Sequence, residues 1–344
     1  MLLKIKKILK KRWVQLTLQL AFTLLLLILI VNSINVPNLT QSLSSINIRL
    51  LLLSLLITLV IRFIWAYQIS ITQASLNMHF SVYEIFRIQM IATFYTLFLP
   101  GNIVAGGVSW YKLSQPDRKF IEAGALLIFF RLIQISSLIC GGLIVALWDP
   151  QLSSPAFRTF VIIGLLSIII MWILFFSNQL TRIFNLIVKN LKGNSSFLMS
   201  LFDKVDRLIN TILNFRSLGF NQLILVFGLS LFAQLLVILY FFSLAKAVEI
   251  ELSIFVIGWI SSLIAFVQMI PISIAGLGVR EISYAVLLSD YGISIEQAIS
   301  FSLTIFGAFV ITALLGGLFE LSDIYRKWQR GSKSDSDRSK NITH

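Results

Sequence analysis

Apolar windows about 20 residues long recur along this chain, and a window of that length is what a helix needs to cross a bilayer. They fall near 13–32, 47–68, 121–147, 158–177, 221–243 and 297–319. Of the 344 residues, 57% are hydrophobic and 12% charged, against roughly 25% charged in soluble domains. In hydrocarbon every backbone N–H and C=O must find its partner inside the protein, which leaves helices or closed barrels. The windows are long, rich in Leu and Ile and do not alternate in polarity, so helices are expected over barrel strands. The expected fold is an all-α polytopic membrane protein with about 7 spanning helices plus two broken or re-entrant hairpins. No polar region is long enough to bury a soluble enzyme core of its own.

Charge orders these windows. The formal net charge is +13, but the basic residues sit in segments flanking apolar runs. Anionic lipid and the positive-inside bias account for that placement without nucleic acid. Residues 1–12 carry Lys4, Lys6, Lys7, Lys10, Lys11 and Arg12 and form a basic cytoplasmic N-terminus. The apolar run that follows, Val14 to Val31, exceeds the ~7 to 15 residues of a signal-peptide core and reads as a retained first helix. Thr72 to Arg87 and the loop with Lys112, Arg118 and Lys119 then fall inside. Trp148 to Arg158 and the loop with Lys246, Glu249 and Glu251 fall outside. Residues 178–219 form an amphipathic insert, suited either to cytoplasmic headgroups or to a solvated linker. Residues 320–344 form a basic, partly disordered tail. The expected location is the cytoplasmic (inner) membrane, with both termini cytoplasmic.

Two segments break the pattern. About a dozen apolar residues, Ile88 to Leu99, stop at Pro100-Gly101, so the stretch near 84–110 begins and ends inside. It is short for a spanning helix and reads as a re-entrant hairpin, with two tilted full helices as the alternative. Phe255 to Ile270 enters from outside, breaks between Pro271 and Gly278, and returns by about residue 289. The chain thus divides into 13–147 and 148–319, each with long windows around a broken hairpin and of opposite orientation. Interrupted segments at corresponding places in inverted halves point to a transporter's binding site. The motifs agree: Gly107 and Val108 follow Pro100 at the spacing at which Gly278 and Val279 follow Pro271, with Gly106 and Gly276 ahead.

The second break, Met269 to Glu281, places a charged pair beside irregular backbone, which at bilayer depth requires a protein-lined or watery cavity. An ionised Arg280 there costs at least ~2.5 to 3.5 kcal/mol without a partner. Neighbouring residues on a helix do not face each other, so Arg280 and Glu281 are expected to find separate partners. Glu281 suits the positive end of a half-helix and Arg280 opposes it, which favours an anion such as a lipid phosphate beside Arg280. A carboxylate or backbone carbonyls within the protein are the plainer alternative. Arg131, about ten residues into its helix, is poorly placed to snorkel. It joins Arg280, Glu281, Ser273 and Gln268 as an expected headgroup contact.

Arg62 lies near the inner end of the second window, from which a long side chain reaches the interface. With Trp65, Gln68, Tyr95 and Lys112 it forms a second rank of candidates. Gln68, Gln134, Gln234 and Gln268 serve more readily as interhelical glue, and Trp65, Trp110 and Tyr111 as interfacial anchors. Pro100, Gly101, Gly106, Gly107, Pro271, Gly276 and Gly278 shape the hairpin backbones.

Catalytic motifs are missing: the sequence has no GxSxG, P-loop, HExxH or cysteine pair. Cys140 stands alone in an apolar run, and His79 has no second ligand at metal-binding spacing. Asp117 and Glu122 read as a solvated loop. No metal, cofactor or enzymatic activity is expected.

Phe94-Tyr95 through Leu99-Pro100-Gly101 with Gly106-Gly107, then Arg131, then Pro271-x-Ser273-x-x-Gly276-x-Gly278-x-Arg280-Glu281, together resemble the lysylphosphatidylglycerol synthase transmembrane (flippase-like) family. The similarity runs over about 10–325, and the second motif is the more specific. Members of the multiple-peptide-resistance-factor type join this membrane region to a cytosolic aminoacyl-transferase domain, which this chain lacks. The resemblance therefore implies lipid translocation or handling and not lysyl transfer. This chain has Val108 and Phe130 where the family often carries acidic residues, which speaks against a cationic headgroup and for an anionic or glycosylated lipid. Two other classes stay open: a non-transporting partner of a glycosyltransferase or lipid-modifying enzyme, and a membrane enzyme acting on polyprenyl-linked sugars.

Overall fold

The computed structural model describes residues 37, 44–97, 102–177, 196–269 and 278–342. The first apolar window and the hairpin residues Pro100, Gly101, Pro271, Ser273 and Gly276 lie outside the described residues. Within them the chain forms ten α-helices and no strand. They are α1 (Ile48–Thr72), α2 (Val82–Tyr95), α3 (Asn102–Ser114), α4 (Phe120–Ala146), α5 (Pro155–Phe176), α6 (Ser196–Leu213), α7 (Phe220–Ala247), α8 (Ile254–Val267), α9 (Val279–Ser289) and α10 (Ile295–Ile342). Five of them, α1, α4, α5, α7 and α10, are long and apolar enough to cross a membrane. This is a multi-pass helical membrane protein.

The long helices bury their backbone polarity internally and turn apolar side chains outward. On α5, for example, Phe160, Ile162, Ile163, Leu166, Ile169 and Ile170 are all exposed, as a lipid-facing surface requires. Helix α1 starts behind Asn47, whose side-chain oxygen accepts from the amides of Arg49 and Leu50, taking up donors the first turn leaves orphaned. It runs antiparallel to α7. The Asn47 amide donates to the Ala247 carbonyl near one end, and Gln68 Nε2 donates to the Val226 carbonyl at 2.7 Å near the other.

Small residues set the closest approaches, since apolar lipid supplies no hydrophobic drive between helices. A Cβ at Gly141 of α4 would lie 2.4 Å from Gln234 Cγ of α7. A Cβ at Gly316 of α10 would lie 2.0 Å from the Met90 carbonyl oxygen of α2. At Gly316 two helices therefore meet backbone to backbone.

The remaining membrane helices come in two short pairs. Helices α2 and α3 have 14 and 13 residues, and α8 and α9 have 14 and 11. Fourteen residues rise only about 21 Å, less than the ~30 Å of hydrocarbon. The two pairs have their feet at opposite ends of the bundle. Near α2 and α3, Phe80 is tied to Gln73 just past α1, and Trp110 Nε1 donates to the Phe120 carbonyl at the start of α4. At the other end Asp149, only 1% exposed, accepts from Trp259 Nε1 of α8 at 2.6 Å and from the Tyr291 hydroxyl just past α9. Burial, together with the Asp149 carboxylate, holds the Tyr291 phenol above the ordinary tyrosine range.

Part of the amphipathic insert is also in place. Helix α6 lies against α4, with Leu208 and Ile212 packed toward the core and Arg207 and Asn210 exposed. Beyond it, Arg216 spends its guanidinium on the carbonyls of Phe175 and Ser177, which caps the end of α5.

Candidate functional site

Gly278 initiates α9 at φ 83°, a left-handed conformation that glycine enters without steric cost. Its amide donates to Glu281 Oε2 at 2.6 Å, which turns the carboxylate back over the first turn. The other carboxylate oxygen, Oε1, then accepts from Arg280 Nη2 at 2.7 Å and from the Ser302 hydroxyl at 2.9 Å. Arg280 Nε donates to the same Ser302 oxygen at 2.7 Å, and its guanidinium carbon lies 5.4 Å from the Phe306 ring centre. Arg280 and Glu281 are 5% and 2% exposed. The expectation of separate partners is thus corrected: the two neighbours pair with each other. The rule that adjacent helical residues do not meet holds in the middle of a helix. At this N-terminus the carboxylate folds back to satisfy a backbone amide, and that motion brings it to Arg280.

Arg62 has no such partner. It lies 14 residues after the start of the 25-residue α1, near mid-depth, and it does not snorkel to an interface. Its Nε is buried without a hydrogen-bond acceptor, and no carboxylate pairs with it among the described residues. Its electrostatic neighbour is Tyr240 of α7, which also feels Arg280. The fields of two guanidiniums therefore reach one phenol in the interior. Next to this group the Tyr284 hydroxyl donates to Ser261 at 3.0 Å, which ties α9 to α8.

A second charged group joins the first short pair to α10. Arg87 of α2 pairs with Asp323. Lys112 of α3 pairs with Glu320 at 2.5 Å and lies 3.6 Å from Asp323. The Tyr95 hydroxyl donates to Glu320 at 3.0 Å, and the Arg87 guanidinium lies over the rings of Tyr83 and Phe319. Tyr95 and Lys112, expected to face substrate, are thus committed to helix contacts. The pairs span more than 200 residues of sequence, so only the i, i+3 spacing of Glu320 and Asp323 behind an apolar run hinted at them.

The other candidates scatter. Arg131 is exposed on α4, where Nη1 contacts Gln134 Oε1 at 3.5 Å; no contact joins it to Arg280. Gly106 and Gly107 are exposed, and a Cβ on either would meet nothing within 4 Å. Gln68 and Gln234 act as interhelical glue, bonding to Ser230 and Ser262. Trp65 packs edge-on against Phe130. Cys140 lines an apolar cavity of about 620 Å³ between α4, α5 and α7, with Trp172 and Phe227. Tyr240, Ser302, Arg87, Glu320, Asp323 and Asp149 were not singled out from sequence.

The family model of the lysylphosphatidylglycerol synthase TM region matches residues 16–317, a span that holds α1 to α9, Arg62, Tyr240 and the Arg280–Glu281 pair. The chain belongs to this family. Membership makes it a membrane protein related to lipid modification or translocation. No curated protein and no solved structure matches the chain. Within the lysylphosphatidylglycerol synthase TM-region match, the interior charges Arg62, Arg280 and Glu281 lie on α1 and α9.

Proposed function

We propose that this chain is a lipid flippase-like transporter, and not an enzyme, that passes an anionic or glycosylated lipid headgroup through the polar interior of the bundle. Its place is the cytoplasmic (inner) membrane, with both termini cytoplasmic. One observation carries the reading: Arg62, whose buried Nε has no acceptor, and the buried Arg280–Glu281 pair set two guanidiniums against one carboxylate inside the bundle, an excess of positive charge where hydrocarbon penalises it. Intramembrane ionisable residues of this kind mark substrate pathways. The two short pairs, with feet at opposite ends, support an inverted repeat. The exposed Gly106 and Gly107 leave backbone open on the first pair.

The test is reconstitution of the purified chain into vesicles carrying headgroup-labelled phosphatidylglycerol, with surface exposure followed by chemical quenching. Transport predicts that label from the inner leaflet becomes accessible faster than in protein-free vesicles. Equal rates with and without protein across anionic and glycosylated lipids overturn the reading.

A further inference from the structure

We infer that Arg62, and not Arg280, is the anchor for a phosphate oxyanion inside the bundle. This inference rests on the transporter reading and names the group that meets the substrate. The two guanidiniums differ in what they already hold. Arg280 has a carboxylate at 2.7 Å, a serine at 2.7 Å and an aromatic face, so its charge and donors are largely spent. An incoming anion there would meet Glu281, itself buried and negative.

Arg62 faces the opposite situation. Its Nε is buried and unbonded, and no carboxylate compensates it among the described residues. A guanidinium presents donors in a planar fork that matches phosphate oxygens two at a time. An uncompensated, partly buried cation destabilises the empty protein, and that cost is recovered when the anion arrives. The ligand is a phosphate group, either a lipid phosphodiester or free phosphate.

The experiment uses the full chain in neutral detergent and reads the thermal unfolding midpoint of wild type, Arg62→Met and Arg62→Lys. Three probes are titrated separately: phosphatidylglycerol, diacylglycerol without phosphate, and inorganic phosphate. The expected result is that Arg62→Met without any probe unfolds at or above the wild-type temperature, because removing an unpaired charge relieves the fold. Phosphatidylglycerol raises the wild-type midpoint, binds Arg62→Met about tenfold more weakly, the loss of one charge-assisted contact, and retains partial effect on Arg62→Lys. Diacylglycerol leaves all three unchanged. Stabilisation by inorganic phosphate alone, lost in Arg62→Met, supports the site and assigns it a soluble source. Three outcomes overturn the proposal: unimpaired phosphatidylglycerol binding by Arg62→Met, equal stabilisation by diacylglycerol, or an Arg62→Met chain that is less stable than wild type or does not fold when empty. Translocation without Arg62-dependent binding sinks the anchor and leaves the transporter; Arg62-dependent binding without translocation does the reverse.

Discussion

The two short helix pairs are cut to nearly the same length and fastened by opposite means. The pair α8 and α9 holds its charges within itself, Arg280 against Glu281, dry and at the start of one helix. The pair α2 and α3 holds its charges against another element, with Arg87 and Lys112 reaching Asp323 and Glu320 on α10 at partly exposed sites. A buried pair loses heavily when one partner goes, because the survivor stays uncompensated. A partly solvated lattice with two cations and two carboxylates can share the loss. The first arrangement suits a fixed site and the second a contact that can be remade.

The sharpest way to break this comparison is to remove one charged partner from each fastener. Glu281→Ala leaves Arg280 buried and unpaired and should cost about 3–5 kcal/mol, read as a loss of unfolding free energy in detergent. Gly316→Ala comes next, since its Cβ would meet the Met90 carbonyl, and overpacking of that kind costs about 1–3 kcal/mol. Lys112→Met should cost only about 1 kcal/mol or less, because Arg87 remains on Asp323. A Lys112→Met effect equal to that of Glu281→Ala would erase the contrast between the pairs.

Smaller effects sharpen it further. Tyr291, tied to the foot of the second pair, has its phenol held above the ordinary range by burial and then by Asp149. The neutral form is the one the fold favours, so this contribution is fully present below the unfolded tyrosine value of about 10 and is lost as pH rises through the folded value. Wild type should lose stability above about pH 10 more steeply than Tyr291→Phe, as measured by alkaline unfolding. Gly107→Ala should change stability by less than about 0.5 kcal/mol, because open space surrounds it; a slower translocation rate in that variant would then speak of the headgroup and not of folding.

Much of the architecture could be read from residue order because hydrocarbon leaves few alternatives. A run such as Phe220 to Ala247 becomes a helix in almost any bundle, and the sequence interruptions near Pro100 and Pro271 fall between the two helices of each short pair. The site was less legible. Depth along α1 places Arg62 but does not say which way the side chain turns, so an interfacial cation and a buried one look alike. Arg280 and Glu281 were found, but their pairing depends on the Gly278 backbone at φ 83° and on Ser302, 21 residues beyond Glu281. Arg131 was overvalued because its position within an apolar run gives depth and not facing.

Gly316 and Ser302 lie on the same helix. Between Ser302, which braces the Arg280–Glu281 pair, and Glu320, which holds Lys112, α10 is unbroken over 18 residues, about 27 Å. It behaves as a connecting rod between the two pairs. Where it crosses α2 the backbones touch at Gly316, so a side chain added there would lift the rod off its seat between its two fastenings.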